Sequence, residues 1–499
     1  MTQRMPTLDA LEVWLRTRCT GALRIDSRQV QPGDAFVAWP GAATDGRHHV
    51  ADALVRGASA CVVEHEGVQA FDFGAADVVS FAGLKAATGW LAARWWGQPS
   101  AALHTMAVTG TNGKTSTSWW LAQAWTALAD RGVLPAGGCA VVGTLGVGVP
   151  GRVTPTGLTT PDPVRLQQSL RGFADQGLRA CAMEASSIGL AEERMAGLQL
   201  HTALFTNFTQ DHLDYHGSMA AYWAAKRRLF DWPGLRAAVI NRDDPAGAAL
   251  IAALAAAPLD VWSISLHAGA RLQADDIRTG QGGLAFDVLE AGQRVFLQSR
   301  VVGRYNVLNL LGVIGALRAA GVPLPDAVAV CAELTPVPGR MQSLDRPGQP
   351  LVVVDYAHTP DALSQALAAL RPQAEERGGA LCCVFGCGGD RDAGKRPLMG
   401  AAAQQGADRV IVTSDNPRSE DPAAIVHQIL QGTIAGTTVL AELDRAAAIA
   451  RAVREAGPHD VVLIAGKGHE DYQEMAGERR PFSDWEHGQA ALNAREEAA

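Results

Sequence analysis

Four short apolar runs between Met106 and Asn241 each stop at a polar or glycine-rich cluster, a pattern that few folds accommodate. They are Ala107-Val108 before Thr109-Gly110, Ala180 to Met183 before Glu184, Ala203 to Phe205 before Thr206-Asn207, and Ala237 to Ile240 before Asn241. Runs of this length, separated by helix-like stretches, read as strands of a parallel sheet buried on both faces. Ligands collect at the carboxyl ends of such strands, so clusters far apart in sequence are expected to meet in one crevice.

A second series begins near Leu351. Leu351 to Val354 precede Asp355, Leu381 to Phe385 precede Gly386, Val410 to Thr413 precede Ser414-Asp415, and Val461 to Ala465 precede Gly466. Leu363, Ala366, Leu367 and Leu370 have the 3,4 spacing of a helix with one face on a sheet. Between the two series, Leu334-Thr335-Pro336-Val337-Pro338-Gly339 carries prolines and a glycine that cannot continue a helix. At 499 residues the chain also exceeds what one core sustains. The expected fold is α/β in three domains. Residues 1–101 form a small mixed α/β unit, residues 102–335 a central unit with a mainly parallel, doubly wound sheet, and residues 336–499 a Rossmann-like C-terminal unit. In the first unit Ala35 to Ala38 and Ala60 to Val63 read as strands and His49 to Gly57 as a helix. The Glu-rich tail near Glu496 reads as a frayed end.

The formal net charge of -8 argues against a nucleic-acid binder, which needs a basic surface to displace counterions. The apolar stretch Ala248 to Ala257 is too short to span a bilayer, and the N-terminus lacks a basic segment followed by an apolar run. A soluble, cytoplasmic protein without a transmembrane segment is expected. The eight cysteines sit mostly inside apolar runs, which suits reduced, buried thiols better than a metal or redox role. Asn207-Phe208-Thr209 fits a glycosylation acceptor but has no accompanying route to secretion.

The sequence Thr109-Gly110-Thr111-Asn112-Gly113-Lys114-Thr115-Ser116 follows a predicted strand and opens a helix-like stretch running to Ala129. Backbone N–H groups there would hold phosphate oxygens, Lys114 would neutralise them, and the Thr115 hydroxyl would bind magnesium. It is a variant of the phosphate-binding pattern, since Val108 stands where the first glycine is usual. Glu184 at a strand end is a second candidate for magnesium, and His212, in Asp211-His212-Leu213-Asp214, a third. By residue type alone Lys226 is an ordinary lysine on a helix surface.

With these motifs in place, the chain closely resembles the Mur ligases, and among them the members that join meso-diaminopimelate to UDP-N-acetylmuramoyl-L-alanyl-D-glutamate. The resemblance rests on the phosphate loop, Met183 to Ser187, Asp211 to Gly217, Gly303 to Asn309, Asp355 to His358, Gly386 to Arg391, Asp415 to Arg418 and Gly466 to Glu470. It implies that residues 102–335 are a central P-loop ATPase domain, and an acyl-phosphate mechanism with ATP as co-substrate and two Mg2+ ions, held by Thr115, Glu184, His212 and a carbamylated Lys226. Lys114, Glu184, His212 and Lys226 would be catalytic. It further implies ATP contacts from Gly110 through Ser116 and from Asn241, Asn306, Asn309 and Arg340. The UDP-dipeptide would meet Ile25, Ser27, Ala42, Ala43, Thr44, Thr159, Thr160, Ser186, Glu192 and Arg194. Diaminopimelate would meet Arg391, Asp415, Asn416, Pro417, Arg418, Gly466 and Glu470, with Arg418 offering a planar fork to the carboxylate that lysine lacks. Leu158 and Glu192 depart from the family, which has an amide at the first position and Gln at the second. A monomer is expected. Other readings are a lysine-adding relative, folylpolyglutamate synthase, a P-loop kinase or transport ATPase without ligation, and a catalytically silent scaffold.

Overall fold

The computed structural model describes residues 2–41, 44–74, 77–280, 283–434 and 438–498. Three main sheets follow one another along the chain. The first is parallel, in the order Gln3–Arg4, Val78–Phe81, Ala60–Glu64, Ala35–Ala38, Leu23–Arg24. Both strands expected from the sequence lie in it, and the expected helix is Val50–Val55 preceded by a 3-10 turn.

The central sheet has a parallel core in the order Leu272–Gly280, Asp260–Ser265, Ala237–Asn241, Thr202–Phe205, His104–Thr109, Ala180–Glu184, Cys139–Gly143. All four predicted runs are in this core. Alternate residues of one strand point to opposite faces. Met106 and Val108 therefore pack under the helices Lys114–Asp130 and Asn306–Ala319, while Ala107 packs with Leu166, Leu170 and Leu250 on the other face. Antiparallel strands extend both edges: Gly146–Val149 with Arg152–Thr154, and Gly283–Glu290 with Gln293–Ser299.

The third sheet runs Gln342–Leu344, Leu351–Asp355, Val461–Ala465, Leu381–Phe385, Arg409–Val412, Val439–Ala441, parallel except for its first strand. The stripe Leu363, Ala366, Leu367, Leu370 is the buried face of the helix Pro360–Arg377 and packs on Val353, Cys383 and Phe385. The opposite face carries Ala448, Ile449 and Leu492 from two further helices. One of these, Asp484–Ala498, corrects the expectation of a frayed tail: Leu492 is buried, and Arg346 holds Asn493 (2.7 Å) and Glu496 (3.4 Å). All eight cysteines are buried and unpaired.

Candidate active site

The phosphate loop leaves the strand His104–Thr109 and enters the helix Lys114–Asp130 at the carboxyl edge of the central sheet. Two of its glycines are required by close approach. A Cβ on Gly110 would lie 1.9 Å from Thr206 Oγ1, and one on Gly113 would lie 2.5 Å from Asn309 Oδ1, at a φ of +86°. The neighbouring strand end fixes the loop: Thr111 N donates to Asn207 O (2.8 Å), Asn112 N to Asn207 Oδ1 (2.8 Å), and Thr206 Oγ1 to Asn112 O (2.6 Å).

Two lysines, half-buried Lys114 and buried Lys226, converge on this loop. Lys114 Nζ donates to the carbonyls of Gly110 (2.9 Å) and Thr111 (2.8 Å), and Lys226 Nζ donates to the same Gly110 carbonyl (2.6 Å). Lys226 is only 1% exposed, which overturns the surface reading of its residue type. Its helix, Met219–Arg227, turns Tyr222, Ala225 and Lys226 inward together, at i, i+3 and i+4. Burial pulls the Lys226 pKa well below the usual lysine range, the charge of Lys114 pulls it further, and Asp211 opposes both. Burial lowers the Lys114 pKa as well, against Glu184 and Asp211.

Glu184 is buried at the end of the strand Ala180–Glu184. It accepts from Thr115 Oγ1 (3.0 Å), Thr144 N (2.7 Å) and Thr144 Oγ1 (3.2 Å), while Arg340 Nη2 donates to Thr115 Oγ1 (3.0 Å). The Thr115 hydroxyl and Glu184 carboxylate together offer hard oxygens of the kind magnesium takes, with the remaining positions left to water and phosphate. Among the described residues no three His, Cys, Asp or Glu side chains gather as a closed metal cage, and magnesium does not need one.

His212 lies beside Asp211, with Nε2 3.6 Å from its carboxylate, and its ring is 6.0 Å from that of Tyr222. Burial lowers the His212 pKa to about 4 despite Asp211. Asp211 also faces His358 (3.8 Å) and Lys395 (3.9 Å) from the third sheet's unit. Burial pushes the Asp211 carboxyl up, but His358, His212 and Lys395 outweigh it and hold the pKa far below the usual carboxylate range. His358 closes the motif Asp355 to His358 without an assigned role and Lys395 stands in no motif; both lie more than a hundred residues from Asp211 in sequence.

Asn112, Gly113, Ser116, Asn241, Asn306, Asn309 and Arg340 line one cavity of about 510 Å³. Asn306 and Asn309 share a helix face, and Asn309 Nδ2 donates to Asn306 Oδ1 (2.8 Å). Thr160, Ser186 and Arg194 also cluster: Thr160 Oγ1 is 3.0 Å from Ser186 Oγ, and Arg194 Nη1 donates to Thr160 O (3.0 Å). Thr159 reaches the Glu184 group through Thr144 Oγ1 (3.1 Å). Leu158 is exposed. Glu192 pairs with Lys85 of the first unit (2.7 Å) and accepts from the Tyr215 hydroxyl. Ile25, Ser27 and Thr44 lie in the first unit, and among the described residues no hydrogen bond joins them to the central cluster. Ala42 and Ala43 lie outside the described residues.

A third group sits at the carboxyl edge of the last sheet. Asn416 Nδ2 donates to Glu470 Oε2 (2.8 Å), and fully buried Lys467 donates to both Asn416 Oδ1 (3.0 Å) and Glu470 Oε2 (3.0 Å). Lys467 thus joins the candidate site, which its residue type did not reveal. A Cβ on Gly466 would lie 2.6 Å from Asp415 Oδ2. Arg418 follows Pro417, has a φ of +53°, and donates through Nη1 to Gly389 O (2.7 Å). Arg391 is exposed, and among the described residues its side chain forms no hydrogen bond or ion pair.

Three family models match in succession: "Mur ligase family, catalytic domain" over residues 21–89, "Mur ligase middle domain" over 108–317, and "Mur ligase, glutamate ligase domain" over 339–468. The chain is 64% identical over 491 residues to a UDP-N-acetylmuramoyl-L-alanyl-D-glutamate--2,6-diaminopimelate ligase of Acidovorax sp. (strain JS42), covering 98% of each. It is 49% identical to the ligase of that name from Ralstonia nicotianae, covering 98% of this chain and 96% of the relative. A solved structure of a ligase with the same name superposes with a TM-score of 0.65 at 37% identity, covering 95% of each chain. With matching models along most of its length and relatives this similar end to end, the chain belongs to the Mur ligase family.

Proposed function

We propose that this protein is an ATP-dependent amide ligase that adds meso-diaminopimelate to the D-Glu of UDP-N-acetylmuramoyl-L-alanyl-D-glutamate in peptidoglycan precursor synthesis. The observation that carries the reading is the pairing of two sheet edges. The first gathers a phosphate loop, Glu184, Lys114 and buried Lys226, and the second gathers Asp415 to Arg418 with Glu470. Asn112 Nδ2 to Asp361 Oδ2 (3.1 Å) and Arg340 to Thr115 connect them. The shared name of the 64% and 49% identical relatives supports this substrate and amino acid. We assign residues 1–101 to the UDP end, 102–335 to ATP and 336–499 to the amino acid. In this reading the protein acts in the cytoplasm, where peptidoglycan precursors are made, and as a monomer; among the described residues no helix is long and apolar enough to cross a membrane.

In the proposed reaction the D-Glu side-chain carboxylate attacks the γ-phosphorus of ATP. An O–P bond forms, the β,γ-bridging bond breaks, and ADP leaves. The diaminopimelate amine then attacks the acyl carbon, inorganic phosphate departs with the C–O bonding pair, and the nitrogen loses a proton. Carboxylate and triphosphate repel each other, so the protein's task is neutralisation and alignment. Lys114 supplies a cation at the loop, while Asn241, Asn306 and Asn309 receive the nucleoside end. Thr115 and Glu184 would hold one magnesium ion and His212 and Lys226 a second; when bound, these ions neutralise the phosphates. The depressed pKa of Lys226 favours the neutral amine, the form whose nitrogen adds to carbon dioxide and gives a carbamate able to donate oxygen to a metal. Arg418 and Arg391 receive carboxylates of the amino acid, and Asp415 and Glu470 its ammonium groups.

The test is product analysis. Purified protein with ATP, magnesium, the UDP-dipeptide and labelled meso-diaminopimelate should give labelled UDP-tripeptide, ADP and phosphate in equal amounts. ATP hydrolysis that needs neither of the other substrates would instead favour a P-loop ATPase or kinase.

A further inference from the structure

Arg445 and Asp484 are both buried to 0% side-chain exposure and form a two-bonded pair, Nε to Oδ1 and Nη2 to Oδ2, each 2.7 Å. The remaining donor capacity of the guanidinium goes to the main chain. Nη1 donates to Ser414 O (3.2 Å) and Nη2 to Ala465 O (2.9 Å). These carbonyls belong to the residues directly before Asp415 and Gly466, where the chain enters the two halves of the candidate amino-acid site. Arg445 opens the helix Arg445–Glu455 and Asp484 opens the helix Asp484–Ala498. One planar group thus ties the end of the strand Val461–Ala465 and the turn after the strand Arg409–Val412 to the starts of two helices that cover one face of the sheet.

We propose that Arg445 and Asp484 are positioning residues that set the spacing between the Asp415–Arg418 segment and the Gly466–Glu470 segment, and through it the fit of the amino acid. The inference rests on the ligase reading above and adds a buried determinant of its amino-acid affinity.

Three observations support a positioning role over simple stabilisation. A fully buried ion pair is costly to desolvate, and well-packed apolar residues often stabilise a core as well or better. The guanidinium fork is rigid, so its four acceptors are held in fixed relation. In front of the pair the two segments are themselves cross-linked, by Lys467 to Asn416 and Asn416 to Glu470, and Gln473 of the following strand donates through Nε2 to Asp415 O (2.7 Å), so a shift of either segment moves both. Burial opposes the charge on Arg445, but Asp484, Asp415 and Glu470 raise its pKa, so the cation is retained.

Two variants test the proposal. Asp484→Asn keeps the shape and removes the charge, and the double variant Arg445→Met with Asp484→Leu keeps apolar packing and removes the fork. In steady-state ligation by the full chain, both should raise KM for the amino acid by at least about tenfold, with KM for ATP and for the UDP-dipeptide within about twofold of wild type. Hydrogen exchange should quicken at residues 414–418 and 465–470 and stay unchanged in the helix Lys114–Asp130. Unchanged amino-acid KM in a folded variant overturns the proposal, as does a parallel rise of all three KM values alongside a fall in Tm. If the double variant fails to fold, Asp484→Asn decides alone. If wild-type protein does not ligate, the ligase reading fails on its own, and the exchange pattern still decides whether the pair positions the two segments.

Discussion

Replacing Lys114 by Met keeps the length of the side chain and removes its charge. Lys114 Nζ holds the carbonyls of Gly110 and Thr111, and the Gly110 carbonyl keeps its bond from Lys226 at 2.6 Å after the change. Only the Thr111 carbonyl loses its side-chain donor, at about 1 kcal/mol, and removing a partly desolvated charge offsets part of that. Fold stability should therefore change little. The reaction loses a preorganised cation where phosphate charge develops, and deleting one such group raises a barrier by about 3–4 kcal/mol, or 10²–10³ in kcat. Phosphate release at saturating substrates should fall by that factor, while calorimetric affinity for a non-hydrolysable ATP analogue should weaken by less than about tenfold. A second effect follows from the charge that Lys114 places near Lys226. Its removal raises the Lys226 pKa, so carbamate formation, read by carbon NMR with labelled bicarbonate, should need higher pH in the variant than in wild type. A kcat within tenfold of wild type, or a loss carried wholly by ATP binding, would refute this reasoning.

Gly113→Ala places a methyl 2.5 Å from Asn309 Oδ1 at a φ of +86°, so Asn309 should leave Asn306 and KM for ATP should rise about tenfold, with the amino-acid KM little changed. Gly466→Ala should do the reverse, since its methyl meets Asp415 Oδ2 at 2.6 Å; steady-state kinetics with each substrate varied separates the two. His104 stacks on Trp125 and His201, its Nε2 is buried without a partner, and burial lowers its pKa to about 4. The unfolded chain therefore binds this proton first, and stability falls as pH drops from about 6.5 towards about 4. His104→Phe keeps the stacking and removes the titration, so the difference in Tm between pH 7 and pH 5 should shrink.

The parallel strands of both large sheets were legible because buried strands leave continuous apolar runs, and the turns after them carry the phosphate loop and Glu184. The antiparallel edges were not. Strands such as Gly146–Val149 and Gln293–Ser299 are partly exposed, so their sequences lack that signal. Lys226 was misjudged by residue type, although Tyr222, Ala225 and Lys226 have the spacing of one helix face. The meeting of Asp211 with His358 and Lys395 depends on how two separately wound units face each other, which no local pattern encodes. Arg445 and Asp484 were invisible for a related reason: each opens an ordinary helix, and their pairing exists only in the packed layer.

In the function proposed above, amino-acid choice rests on few residues, chiefly Arg418, which has a left-handed backbone conformation and donates to Gly389 O. The most direct test is competition between meso-diaminopimelate and L-lysine for one pool of UDP-dipeptide, with both products resolved by mass. An arginine fork on the extra carboxylate, with loss of that contact leaving buried polar groups unpaired, predicts a preference for meso-diaminopimelate of at least about 100-fold in kcat/KM, reduced in Arg418→Lys. Equal use of L-lysine by the wild-type protein would contradict the account.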